Sequence, residues 1–278
     1  MTDVIDLLVT NATLTQSVLF GATIILCWVA EKSILDNNPA RKNLRARINA
    51  LFALTALPLQ IAMAVLFMAL AAWVTDHRWG LLFLLPGSDD PWIKYGLMFV
   101  VLDFLDYVYH RAMHHIPCLW RFHLVHHTDQ AIDASTTVRE HPGETVVRNG
   151  FLMLWIATCG ASVEILVLRQ AVESVANILA HTSFRLSRHP ANILGWLLIT
   201  PNLHHVHHHS AQPYTDSNYG DVFSIWDRLF GTFANLAVED IEFGLDSHIN
   251  PLADDTYLRA LAMPFDRSQQ SPTRPQEA

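Results

Sequence analysis

Two long stretches of this chain carry no charge, and they restrict it to a helical fold. Leu7–Ala30 and Ile48–Val74 contain no Asp, Glu, Lys or Arg. In lipid a backbone must satisfy its N–H and C=O groups internally, which a helix does within one segment. A membrane span needs about 20 mainly apolar residues, and roughly Ala12–Ala30 meets that need. The second run is longer than a hydrocarbon core of about 30 Å requires, and tilt or a kink at Pro58 takes up the excess. A third apolar run, Trp92–Tyr109, carries Lys94, Asp103 and Asp106. Thr145–Ala180 is mostly apolar but interrupted at Cys159-Gly160-Ala161-Ser162, so it reads as two helices joined by a tight turn. The second of these helices carries Glu164, Arg169 and Glu173.

Charge gives these spans a direction. Lys32, Arg41, Lys42, Arg45 and Arg47 lie between the first two runs. The first dozen residues hold no Lys or Arg, and residues 75–91 hold only Arg78 beside Asp76, Asp89 and Asp90. Positively charged loops tend to stay in the cytoplasm, so the Arg-rich connection is expected there. The third span then returns to that side, as does the hairpin over Thr145–Ala180. The acidic start MTDVIDLL does not look like a cleavable signal. The polar tail from Asp266 has nothing to bury and is expected to be disordered.

Only 16% of the residues are charged, against about 25% in an ordinary soluble domain. The formal net charge is -8 and no basic patch is present, so nucleic acid is not an expected partner. Cys27, Cys118 and Cys159 are far apart and form no CxxC pair, which excludes a disulfide framework and a thiolate metal site.

The chemistry lies in the histidines. His110 and His114 form HRAMH; His123, His126 and His127 form HLVHH; His181 stands alone; and His204, His207 and His208 fall in HHVHH. Residues three and four apart share a helix face, and imidazole suits iron, zinc, copper and nickel. A structural zinc closes with four ligands, so nine histidines fit two metals with about four nitrogens each. Zinc hydrolases usually recruit a carboxylate, and no HExxH is present. Redox iron beside a membrane would reach lipid C–H bonds. The last cluster can be read as His204, His207 and His208 or as His205, His208 and His209, and spacing does not choose between them.

Supporting residues follow from position. Asp106 sits one turn before His110 and is the first candidate to hold a ligand ring through its other nitrogen. Glu173 and Asn177 share a stripe with His181. His141 precedes a proline and is a further candidate behind a ligand. His115 points off the stripe of His110 and reads as a bystander, and His77, His189 and His248 read as surface residues.

These motifs resemble the fatty acid hydroxylase/sterol desaturase superfamily, the integral-membrane, histidine-rich di-iron oxygenases. The resemblance runs from about Tyr95 to Phe233. It is carried by DYVYHRAMHHIPCLWRFHLVHH, TTVREHPGE, ILAHTSF and ITPNLHHVHHHS, followed by DSNYGDVFSIWDRLFGTF. It implies ligands at His110, His114, His123, His126, His127 and His181, and a final HxxHH. Anchoring on Thr200-Pro201 favours His204, His207 and His208, leaving His205 and His209 as the alternative. Asn218 or Asp227 would buttress a ligand, beside Asp216, Tyr219, Gly220 and Trp226, which pack or cap.

The implied fold is all-α, a multi-span transmembrane helical bundle with a cytoplasmic histidine-rich cap holding a dimetal site. The implied division is an N-terminal transmembrane region at 1–90, a fatty acid hydroxylase-like catalytic domain at 91–264 and the tail at 265–278. The implied activity is O2-dependent hydroxylation or desaturation of a lipid, sterol or related hydrophobic substrate. Two Fe ions would be the cofactor, and a separate ferredoxin, cytochrome b5 or reductase the electron donor. Competing readings are a membrane metal-transport protein, with ligands strung along a path through the bilayer, and a non-catalytic relative with a structural metal.

Overall fold

The computed structural model describes residues 12–34, 39–245 and 256–266. The acidic start of the chain, His248 and the tail beyond residue 266 lie outside them. Helices dominate: α1 Ala12–Ile34, α2 Pro39–Asp76, α3 Met98–His115, α4 Pro117–His127, α5 Pro142–Cys159, α6 Val163–His181, α7 Arg188–Leu194, α8 Pro201–His207, α9 Ile225–Leu229 and α10 Tyr257–Ala262. A π-helical turn, Trp92–Leu97, leads into α3. Among the described residues the only β-type pairings are two isolated bridges, Leu198 with Phe223 and His209 with Phe243.

The boundaries follow from local chemistry. Proline opens α4, α5 and α8, where its missing N–H costs nothing. The break between α5 and α6 falls at Gly160, at φ 80°, a left-handed position that glycine enters freely. A Cβ at Gly160 would stand 2.6 Å from the Trp79 carbonyl, so close packing demands glycine as well. Helix α2 runs through Pro58 and at 38 residues is about 57 Å long.

Five long helices alternate in direction. Helix α2 packs along α5, and α1 along α6. One end of the bundle is apolar: Ala71 and Val74 of α2 meet Met98 and Leu102 of α3, Ile156 of α5 and Ile165 of α6. The other end carries the cap, where Ile48 and Phe52 pack with Trp120 and Leu124 of α4 and Met263. Helices α1, α3 and α6 finish at the cap, and α2 and α5 start there, so every histidine cluster arrives at one end.

Lys42 and Arg45 of the Arg-rich connection lie at that same end, held by ion pairs. Glu31 is fully buried, pairs with Lys42 at 3.4 Å and accepts from the Ala134 and Ser183 main chain. Arg45 faces Asp129 at 3.4 Å.

Among the described residues one helical segment, Lys42–Leu84, is long and apolar enough to cross a membrane by length and composition. Its Leu54, Leu57, Ile61 and Val65 are exposed and share one face at helical spacing. Helices α3 and α6 carry charge, and part of it is turned inward. Asp106 of α3 holds Arg169 of α6, with Arg169 Nε 2.9 Å from its carboxylate, and Arg169 also holds Glu173 at 2.6 Å.

Candidate metal centre

Three helices and one helix end supply nine rings. Helix α3 presents His110 and His114 one turn apart, and α4 presents His123, His126 and His127. His181 ends α6. Helix α8 presents His204 and His207, and His208 follows as its cap. Thr200 caps the start of α8, which fixes the register of that short helix.

The rings sort into two sets of four. His110, His114, His123 and His207 form one; His126, His181, His204 and His208 form the other. Within each set the available nitrogens lie within 4.8 Å of one another. His127 stands between the sets, its ring 4.9 Å from His114 and 4.6 Å from His208. Neither of its nitrogens has a hydrogen-bond partner.

The outer nitrogens decide the protonation of the inner ones. His110 Nδ1 lies 2.9 Å from the Tyr219 carbonyl, and His207 Nδ1 lies 2.7 Å from that of Ser217. His181 Nδ1 faces the Asn177 carbonyl at 2.8 Å, and His126 Nδ1 that of Arg139 at 3.3 Å. Two rings are backed by carboxylates: His123 by Glu144 at 2.8 Å and His114 by Asp216 at 3.1 Å. Carbonyls and carboxylates only accept, so each Nδ1 donates, and in a neutral imidazole Nε2 is left with a bare lone pair.

Those lone pairs face one another. His110 Nε2 is 3.2 Å from His123 Nε2, and His126 Nε2 is 3.0 Å from His181 Nε2. His204 Nε2 lies 2.9 Å from His181 Nε2. Where both rings donate outward through Nδ1, no proton lies between the Nε2 atoms, and nitrogens this close repel unless a cation is shared; His204, whose Nδ1 has no partner, joins them by position. Two nitrogens each about 2.1 Å from one ion and at right angles to each other are about 3.0 Å apart. The donor sets therefore fit two metal ions.

Burial, and after it the neighbouring rings, holds His126, His127, His204, His207 and His208 well below the ordinary histidine range. Their rings are neutral near pH 7, the form that binds a metal.

Residues 95–232, which contain all nine rings, match the fatty acid hydroxylase family. The chain belongs to this family. Among relatives of this fatty acid hydroxylase family member, the alkylglycerol monooxygenase of Caenorhabditis elegans is 32% identical over 52% of this chain and 28% of its own length. The Homo sapiens alkylglycerol monooxygenase is 33% identical over 61% of this chain and 36% of its own. An ornithine lipid hydroxylase of Rhizobium tropici is 29% identical over 60% and 49%. The chain spans less than half the length of these relatives. No solved structure matches it.

In this family member the proposed supporting residues fall into two groups. Asp106 does not reach His110; Arg169, on the facing helix, takes its carboxylate, and Glu173 is drawn to the same guanidinium. His141 is not behind a ligand either. It caps α5, where its Nδ1 accepts from Gly143 N at 2.9 Å and its Nε2 donates to the Leu261 carbonyl at 3.1 Å. His205 turns away: Nε2 donates to the Thr182 carbonyl at 3.0 Å and Nδ1 accepts from Arg185 at 3.0 Å. His209 Nδ1 accepts from the Glu242 main chain.

The others act through the main chain. Asn177 contributes its carbonyl to His181. Asp227 is fully buried and accepts from Tyr219 N at 2.8 Å and Gly220 N at 3.0 Å, which positions the Tyr219 carbonyl on His110. Asn218 donates to the Leu203 and Ala234 carbonyls and ties the same loop to α8. Its φ of 51° is one that asparagine tolerates. Glu144 is the residue that sequence reasoning missed. It lies in the quoted TTVREHPGE stretch, in the first turn of α5, where an acid reads equally well as a partner of the helix dipole.

Proposed function

We propose that the chain is a membrane-bound di-iron oxygenase that hydroxylates the alkyl portion of a lipid, with electrons from a separate donor of ferredoxin, cytochrome b5 or reductase type. The observation that carries this reading is the pair of adjacent nitrogen sets whose bare Nε2 lone pairs face inward at about metal-sharing distance. His110, His114, His123 and His207 would hold one iron. His126, His181, His204 and His208 would hold the other, and His127 stands within reach of both. Bound there, iron supplies the activation of dioxygen that places one oxygen atom in a C–H bond while the other leaves as water with two electrons and two protons.

The chain's own residues do the rest. Glu144 and Asp216 accept from Nδ1 of His123 and His114, keeping those rings oriented with the Nε2 lone pair directed inward. Four main-chain carbonyls do the same for four further rings. Burial of the rings excludes water, which protects an oxidising site from side reactions. We read the five long helices as crossing the bilayer. The Arg-rich connection lies at the end that bears the cap, so the positive-inside tendency assigns the metal centre to the cytoplasmic side.

The names of the relatives point to lipids that join a long chain to a polar head. This supports an alkyl-chain lipid as substrate and hydroxylation as the outcome. A transport path is not supported, because the histidines gather at one end of the bundle.

The test is direct. The full chain is purified in lipid, loaded anaerobically with iron, and given a reductase system with alkylglycerols, ornithine lipids or fatty acids. Oxygen uptake is expected to track the appearance of lipid carrying one atom from isotopically labelled dioxygen. Fully loaded, reduced protein that consumes no dioxygen with any lipid class sinks the reading.

A further inference from the structure

The cap carries an apolar surface that the metal centre does not use. The chain leaves α7 and runs back through Leu198 beside the segment that enters α9. Ile199 N donates to the Val222 carbonyl and Ser224 N to that of Leu197, each at 2.9 Å. Ser224 Oγ and Arg228 both donate to the Gly195 carbonyl, at 2.8 and 2.9 Å. The two strips are therefore one unit. Its outer side exposes Trp196 at 68% and Leu229 at 65%, with Ile193, Leu194, Leu197 and Phe230 around them.

The inner side is fastened to the turns of α3 that precede His110. Phe223 packs on Phe99. Trp226 donates to Asp103 at 2.7 Å and lies against Phe104, and Phe230 packs on Phe104 and Tyr107. Phe99 to Tyr107 precede His110 by about 5–16 Å of helix, toward the apolar end where Met98 and Leu102 are buried. The unit thus hangs beside the bundle at the depth of its apolar part.

A cluster of exposed large hydrophobic groups needs a cover, and three observations favour lipid. Leu97 and Val100, close in sequence to the Phe99 that packs on Phe223, are exposed as well. Its approach is basic: Arg188 and His189 are exposed, and no Asp or Glu occurs from Ser174 to Thr215, which suits phosphate headgroups. The cation within the unit is masked, since Arg228 lies 4.3 Å from the Trp196 ring and 3.8 Å from the Phe233 ring.

We propose that Ile193–Leu198 and Ile225–Phe230 form a lip that dips into the leaflet on the metal-centre side without crossing it. The lip rests on the reading that the bundle spans a membrane. Spin labels on W196C and L229C, with Cys27 and Cys118 changed to Ser, test it in the full chain in phosphatidylcholine/phosphatidylglycerol vesicles. Labels on I61C in α2 and R111C, at an exposed cap position, are the references. Collision with dissolved oxygen is compared with collision with a water-soluble nickel chelate. The oxygen-to-nickel ratio is expected above one at W196C, L229C and I61C, and below one at R111C. Nickel dominance at W196C and L229C with I61C still in lipid overturns the lip alone. Shielding of both sites from both reagents also overturns it and points to a protein cover. Nickel dominance at I61C overturns the membrane reading, and the lip with it.

Discussion

The two histidine sets share one cap but are backed differently. In the first, every outer nitrogen is tied: His123 to Glu144, His114 to Asp216, and His110 and His207 to carbonyls. In the second, His126 and His181 are tied to carbonyls, while Nδ1 of His204 and of His208 has no hydrogen-bond partner. A carboxylate behind an imidazole fixes the ring and raises its basicity. The first set is therefore the stronger and more rigid donor, and the second depends more on the packing of α6 against α8. Equal numbers of nitrogens do not make equal sites.

The largest effect is expected from removing a ring. H123A takes a ligand from the first set and leaves Arg148 to hold the buried Glu144. Iron content measured by elemental analysis should fall from about two per chain to about one or fewer, and oxygenation should fall below detection. H181A should remove the other ion, since His181 Nε2 lies within 3.2 Å of three neighbouring Nε2 atoms. Two ions retained in H123A would break the division into sets.

A smaller change sharpens the comparison. E144Q keeps the shape but removes the charge behind His123. Loss of such a partner costs about 10–100-fold in metal affinity, and chelator competition should show that loss at one ion of the two. D216N should cost less, because Asp216 is 26% exposed in its side chain and sits farther from its ring. Equal weakening of both ions by E144Q would mean that the sets are not independently backed.

Much of this was legible beforehand, for definite reasons. The first two long helices follow from uncharged runs and the others from mainly apolar ones, and the break at Gly160 from the backbone that only glycine adopts easily. Spacing and family resemblance together pick out the nine rings. Their partners were harder to see. Four outer nitrogens use main-chain carbonyls, which every residue possesses and no side chain advertises. Asp106 shares a stripe with His110, yet Arg169, 63 residues away, takes its carboxylate, and helical periodicity carries no information about a facing helix. Residues 209–245 hold the loop that aims Tyr219 and Ser217, and they have little regular periodicity to read.

The smallest effect should come from H205Q, and it bears on the comparison most sharply. His205 is adjacent to His204, so spacing alone makes it an equal candidate, and it is nearly fully buried. Both its nitrogens are already used, one donating to Thr182 and one accepting from Arg185, which leaves no lone pair for an ion. Glutamine preserves part of that bonding, so the thermal midpoint should drop by the equivalent of about 1–3 kcal/mol while the iron count stays at two. An ion lost from a folded H205Q chain would shift the ligand register by one residue. The weaker second set would then be an error of register rather than a property of the site.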